Sequence, residues 1–277
     1  MTIKNEIEIF QKNFSEKQNN YNNFSEKNIR SEFFQIKIME FIAQKEYWRK
    51  MTLVWWSALR YLRNWVIKTL DLDYDSIWID EEYFEKIYLE IGEFLVKSWC
   101  KVMLWRANRE WRTEDDSYIC TFVICTGINK YNNKSLVDAE ITLRLKNSNC
   151  DYPTEWIIPS HSINNIAIQT EVISSLLSKE ICLFLSRPIV ENVAKDLINI
   201  VFLLQEATPD YDYLYRYEGI SNKEELINRL EAQYNRFSDD EDLSYSIYCL
   251  WDNLINLDYS DVPYDAIQII KDQLNHY

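Results

Sequence analysis

Apolar residues recur three and four positions apart through residues 46 to 69, where Trp48, Met51, Trp55, Ala58, Leu62 and Trp65 fall on one broad face. The spacing predicts a helix over that stretch. An earlier helix is expected to start near Ser31 or Glu32 and to carry Phe33, Ile36, Ile38, Phe41 and Ile42. A third, from Glu81 to Arg112, rests on Tyr83, Ile87, Leu89, Phe94, Leu95, Trp99 and Leu104. Its early turns are acidic and its late turns are basic (Lys97, Lys101, Arg106, Arg109, Arg112), which suits the helix dipole.

The period then changes from helical to alternating. Residues 117 to 128 and 136 to 146 are rich in β-branched and aromatic side chains, and the polar loop 129 to 135 between them predicts an antiparallel hairpin. In its second strand Val137, Ala139, Ile141, Leu143 and Leu145 face one way, and Asp138, Glu140, Thr142, Arg144 and Lys146 the other. That alternation implies a sheet with one solvated face. Short strands at 155 to 158 and 166 to 169 are further candidates. From about residue 170 the pattern is helical again, with 189 to 205 apolar around most of its circumference, as a buried central helix would be. Ser221 with Glu224 and Ser238 with Glu241 have the spacing of capping boxes, and a last helix is expected over 263 to 275. These elements predict an α+β fold, predominantly helical, with a small antiparallel sheet in the middle of the chain. The expected organisation is a polar leader (1–30), holding two copies of Asn-Phe-Ser-Glu-Lys, and one domain (31–277). Within it, helical subregions 31–112 and 206–277 flank a central part, 113–205.

Composition narrows the function classes. A chain of 277 residues with 47% hydrophobic content has ample material for a core. It has no apolar run long enough to span a membrane and no secretory leader, so a cytoplasmic location is expected and its six cysteines read as reduced thiols. Three glycines argue against architectures whose ligand loops need positive φ angles, and phosphate-cradling loops of the dinucleotide or Walker type are absent.

Charge is distributed unevenly. Residues 206 to 277 hold 16 acidic side chains against 5 Lys or Arg, giving −11 of the chain's net −14. A concentrated field of one sign selects partners by charge. Carboxylates among tyrosines suit capture of a basic protein, so Asp210, Asp212, Asp239, Asp240, Glu241 and Asp242 are the candidate partner-binding residues. A second candidate surface combines Arg49, Trp56, Arg60 and Arg63, which lie on the far side of the 46–69 helix and would suit single-stranded nucleic acid.

Catalytic signals are sparse. His161 stands between two serines but lacks the glycine-flanked elbow of a hydrolase nucleophile, and reads as a loop or core histidine. Cys120 and Cys125, five apart in a strand, point to opposite faces and make no metal clip. The acidic run Asp71 to Glu82 resembles an EF-hand calcium loop, with oxygens at loop positions 1, 3, 5 and 12. It departs from that pattern at Ser76, where the turn glycine belongs, and at Ile79. The reading preferred here is a helix-to-helix connection in which Asp80, Glu81 and Glu82 cap and charge the next helix. No metal and no cofactor are expected. Together these features favour a non-enzymatic binding or inhibitor protein, of the immunity-protein or nucleic-acid-mimic kind, that captures a basic protein. The competing reading is a nucleic-acid-associated effector or enzyme, or a structural subunit.

Overall fold

The computed structural model describes residues 3–17, 25–63, 69, 71–98, 101–106, 117–125, 127–128, 135–136, 139–148, 152–159, 161–237, 240–251 and 259–276. The chain divides into two compact units, residues 1–170 and 171–277.

The first unit opens with α1 (Ile3–Lys17) and α2 (Glu26–Ala43), the latter capped by Ser25, whose hydroxyl accepts the Asn28 N–H at 3.3 Å. A single 3-10 turn (Glu46–Lys50) leads into β1 (Met51–Leu53), α3 (Trp55–Arg63) and β2 (Asp71–Ser76). Then follow α4 (Glu81–Lys97), β3 (Lys101–Arg106) and β4 (Ser117–Cys125). A two-stranded ribbon, β5 (Gly127–Ile128) and β6 (Ser135–Leu136), precedes β7 (Ala139–Asn147), β8 (Thr154–Ile157) and β9 (Ile168–Glu171).

Among the described residues the main sheet has seven strands in the order β3-β4-β7-β2-β1-β9-β8. The hairpin is present as expected, with β4 and β7 antiparallel from Ser117↔Lys146 to Ile124↔Ala139. The small antiparallel sheet is not: β2 runs parallel to β7 and β1 parallel to β9, so the sheet is both larger and mixed. Three of its strands come from stretches read otherwise. Met51–Leu53 and Lys101–Arg106 fall inside the stretches assigned to long helices, and Asp71–Ser76 inside the acidic connection. Pairing with neighbouring strands outweighs local periodicity at all three.

One face of the sheet is apolar, formed by Leu72, Tyr74, Phe122, Ile141, Leu143 and Leu145, all at most 3% exposed. Helices α2 and α4 cover it: Phe84 stacks on Tyr118 at 5.2 Å, and Phe41 on Phe94 at 4.5 Å. Each fully buried Phe of this layer, such as Phe33, Phe34 and Phe84, contributes about 1.5–3 kcal/mol. Helix α1 packs on α2 through Phe10 and Phe33, whose ring centroids are 5.5 Å apart. The opposite face of β2 and β7 carries the polar residues.

The second unit is helical: α5 (Ile173–Ser186), α6 (Val193–Leu204), α7 (Tyr211–Glu218), α8 (Lys223–Tyr234), α9 (Asp240–Leu250) and α10 (Val262–His276). The apolar helix expected over 189 to 205 is α6, buried nearly all round against α5, α9 and α10. It begins at Val193, and Ile189 lies exposed ahead of it. The cap expected at Ser221 is displaced by one residue. Asn222 accepts the Glu225 N–H at 2.9 Å while the Glu225 carboxylate reaches back to the Ser221 N–H at 3.0 Å. Ser238 lies outside the described residues. No described helix is long and apolar enough to cross a membrane.

Candidate active site

The polar face of the first unit's sheet carries carboxylates beside a strand-turn-helix element. Strand β2 alternates Asp71, Asp73 and Asp75 with Leu72, Tyr74 and Ser76, so period two sends the three carboxylates to the face opposite the apolar layer. Asp71 and Asp73 are half-buried. Asp75 is buried, and its carboxylate accepts the Tyr152 hydroxyl at 2.5 Å. In the parallel register Asp71 aligns with Thr142, Asp73 with Arg144 and Asp75 with Lys146. Thr142 in turn faces Thr121 of β4, their hydroxyl oxygens 3.1 Å apart.

Helix α3 starts immediately beside these carboxylates. Fully buried Ser57 in its first turn donates its hydroxyl to the Asp71 carbonyl at 2.9 Å and accepts the Asp73 N–H at 2.9 Å. The same oxygen lies 3.3 Å from Asp73 Oδ2. One side chain therefore fixes the head of α3 to the strand that carries the acids. The first N–H groups of a helix have no intrahelical acceptor and favour anions. The sharp turn from β1 into α3 places Trp55 at φ 58°, a left-handed conformation that costs a non-glycine residue about 1–3 kcal/mol. The scarcity of glycine argues against such a turn. The fold builds it with tryptophan, holding the strained residue between a strand paired on both sides and a helix pinned by Ser57.

A second anchor acts from the far side of α3. Arg60, buried, forms an ion pair with buried Glu32 of α2, and the Tyr61 hydroxyl donates to Gln35 of the same helix. The donor set around Asp71 and Asp73 is oxygen only, and among the described residues no group of three or more His, Cys, Asp or Glu converges on a metal position. Two carboxylates on one face of a strand suit a hard divalent cation whose remaining ligands are waters and substrate phosphates.

No protein-family model matches the sequence, and no curated protein is similar to it. Solved structures are. The chain resembles JHP933 from Helicobacter pylori, with TM-score 0.55, 14% identity, and coverage of 91% of this chain and 95% of that one. It also resembles the nucleotidyltransferase toxin MenT4 from Mycobacterium tuberculosis H37Rv, with TM-score 0.51, 12% identity and coverage of 89% and 85%. The chain shares their fold.

That likeness corrects the expectation of a non-enzymatic inhibitor or immunity protein capturing a basic partner, because it runs to a toxin with transferase activity rather than to an inhibitor. Of the six acidic residues on which that expectation rested, the four with described side chains lie at helix starts. Asp210 caps α7, accepting the Tyr213 N–H at 3.1 Å, and exposed Asp212 sits in that helix's first turn. Glu241, exposed, and Asp242, half-buried, lie in the first turn of α9, where carboxylates complement the dipole. Asp239 and the Asp240 side chain lie outside the described residues. Elsewhere in this unit Arg229 pairs with Glu218 at 2.9 Å, and Lys271 pairs with Glu231.

Two of the four residues of the second candidate surface have described side chains. Arg49 is exposed in the 3-10 turn and Arg60 is committed to Glu32, while the side chains of Trp56 and Arg63 fall outside the described residues. His161 packs against Phe10, centroid to centroid 6.2 Å. The loop after it is gathered by buried Glu40, which accepts the Ile163 and Asn164 N–H groups at 2.7 and 2.9 Å. Cys120 and Cys125 are buried and are not disulfide-bonded. Missed altogether was Ser57. The signal that could have found the acids is the strict period of two across Asp71 to Ser76, with Leu72 and Tyr74 between carboxylates.

Proposed function

We propose that this chain is a nucleotidyltransferase, moving a nucleoside monophosphate from a nucleoside triphosphate onto an acceptor nucleophile. The observation that carries the reading is the Asp71 and Asp73 pair on the polar sheet face, tied by Ser57 to the head of α3, in a fold shared with a transferase toxin. In such a reaction the acceptor oxygen forms a bond to the α-phosphorus while the bond to the bridging oxygen breaks, and pyrophosphate leaves. Catalysis of phosphoryl and nucleotidyl transfer is chiefly positioning and charge stabilisation.

Asp71 and Asp73 are the residues that would hold a divalent cation, which when bound neutralises charge developing on the phosphate oxygens. The protein's own contribution is orientation. Ser57 fixes the spacing between strand and helix, and the N–H groups at the head of α3 favour an anionic oxygen. The Thr121 and Thr142 hydroxyls supply neutral hydrogen-bonding groups on the same face.

The test is incubation of the purified protein with α-labelled ATP, GTP, CTP or UTP, magnesium, and pooled RNA or cell protein as acceptor. Label transfer is expected with at least one nucleotide, and Asp71→Asn or Asp73→Asn should lower it at least about 100-fold, the scale of losing a main electrostatic contributor. Transfer that survives in the double variant, or no transfer with any combination, removes the proposal.

A further inference from the structure

Strand β7 sets two cations beside the acids of β2. Arg144 is exposed and Lys146 half-buried, both on the face shared with Asp71, Asp73 and Asp75. The parallel register puts Arg144 level with Asp73 and Lys146 level with Asp75, on strands about 4.8 Å apart. Pairing across the strands would be the ordinary outcome, yet among the described residues neither cation makes an ion pair or a side-chain hydrogen bond. The reason is visible on β2. The Asp73 carboxylate is drawn toward Ser57, and that of Asp75 accepts from Tyr152. The acids are turned to their own supports, and the cations remain uncommitted.

Two positions along a strand separate the cations by about 6.6 Å at the backbone, within reach of adjacent phosphates for side chains of this length. Arginine adds a planar fork that fits two phosphate oxygens, and lysine a mobile point charge. A carboxylate row and a cation row side by side match a metal-bound polyphosphate, whose anionic oxygens outnumber the charges of one divalent ion.

We propose that Arg144 and Lys146 form the subsite for the β- and γ-phosphates of a nucleoside triphosphate, and so hold the pyrophosphate as it leaves. This assignment rests on the nucleotidyltransferase reading. Arg144 acts as the principal contact, and Lys146, less exposed, as the secondary one.

Calorimetric titration with magnesium and each of the four nucleoside triphosphates, the matching monophosphates, and inorganic tripolyphosphate tests it. Arg144→Ala should weaken triphosphate and tripolyphosphate binding at least tenfold and Lys146→Ala severalfold. Monophosphate binding should stay within twofold, Arg144→Lys should recover part of the loss, and Lys97→Ala, a remote surface control, should change nothing. In turnover assays the loss should appear in KM more than in kcat. If the wild-type chain binds and transfers nucleotide while the Arg144→Ala/Lys146→Ala variant keeps triphosphate affinity within twofold, the subsite assignment alone fails. An equal loss for monophosphates also overturns it. If the wild-type chain binds no triphosphate, the subsite and the parent reading fall together.

Discussion

Removing Arg60 tests whether helix α3 is held by a buried charge pair. Arg60 and Glu32 have side chains 2% and 3% exposed, so Arg60→Ala would take a buried guanidinium away from a buried carboxylate. Breaking such a pair from one side costs about 3–5 kcal/mol, most of it the penalty of the stranded charge. At about 2–4 °C per kcal/mol for a unit of 150–250 residues, the transition of the first unit should fall by about 6–20 °C. The assay is thermal and urea unfolding followed by tryptophan emission. Trp55 at the head of the same helix reports locally, and calorimetry separates the two units. Glu32→Leu combined with Arg60→Met should recover most of the loss, because an apolar pair of similar volume leaves no stranded charge. A decrease below about 1 kcal/mol for Arg60→Ala, the range of exposed pairs, would refute the reasoning and return Arg60 to the surface role first read from its sequence position.

Two further outcomes concern the second unit. Burial raises the Glu180 carboxyl to about 8, with repulsion from Asp196 adding to it and the Asn199 hydrogen bond, Lys195 and Arg187 opposing it. A carboxyl raised in the folded state stabilises it fully below the unfolded pKa. That stability is lost as pH climbs toward the folded value, so unfolding measured from pH 5 to 8 should show declining stability. Glu180→Gln should flatten that slope; an unchanged slope would show that Glu180 does not set it. Gly219 closes α7 at φ 71° with open space where a Cβ would sit, so Gly219→Ala should cost about 1–2 kcal/mol through backbone strain alone, measured by urea unfolding.

What could be read in advance follows from where the physics is local. The β4-β7 hairpin was legible because its alternation and its polar loop lie within one stretch, and the Asp80 cap, which accepts the Tyr83 N–H at 2.8 Å, is set by adjacent residues. Strand β1 was not. Met51, Thr52 and Leu53 sit in a helical period, and only pairing with β2 and β9, from residues 20 to 120 positions away, makes them a strand. Strand β3 was hidden in the same way, since Ser98 ends α4 where apolar spacing continues, and Lys101–Arg106 pairs with β4. Strand β2 is a different case. Three aspartates in the middle of a sheet oppose β propensity, and such local disagreement is expected where function places the residues. In the acidic late region, carboxylates such as Asp210 and Glu218 serve as a helix cap and in an ion pair, roles that a linear count of charge does not reveal.

The tryptophan at the bend between β1 and α3 has an energetic corollary for any incoming molecule. Glycine there would wander among several backbone states and surrender that freedom on capture. Trp55 occupies one narrow left-handed well and has little to surrender. On the nucleotidyltransferase proposal, the backbone leading into α3 is accordingly set before any substrate arrives, and association should carry a small entropic penalty.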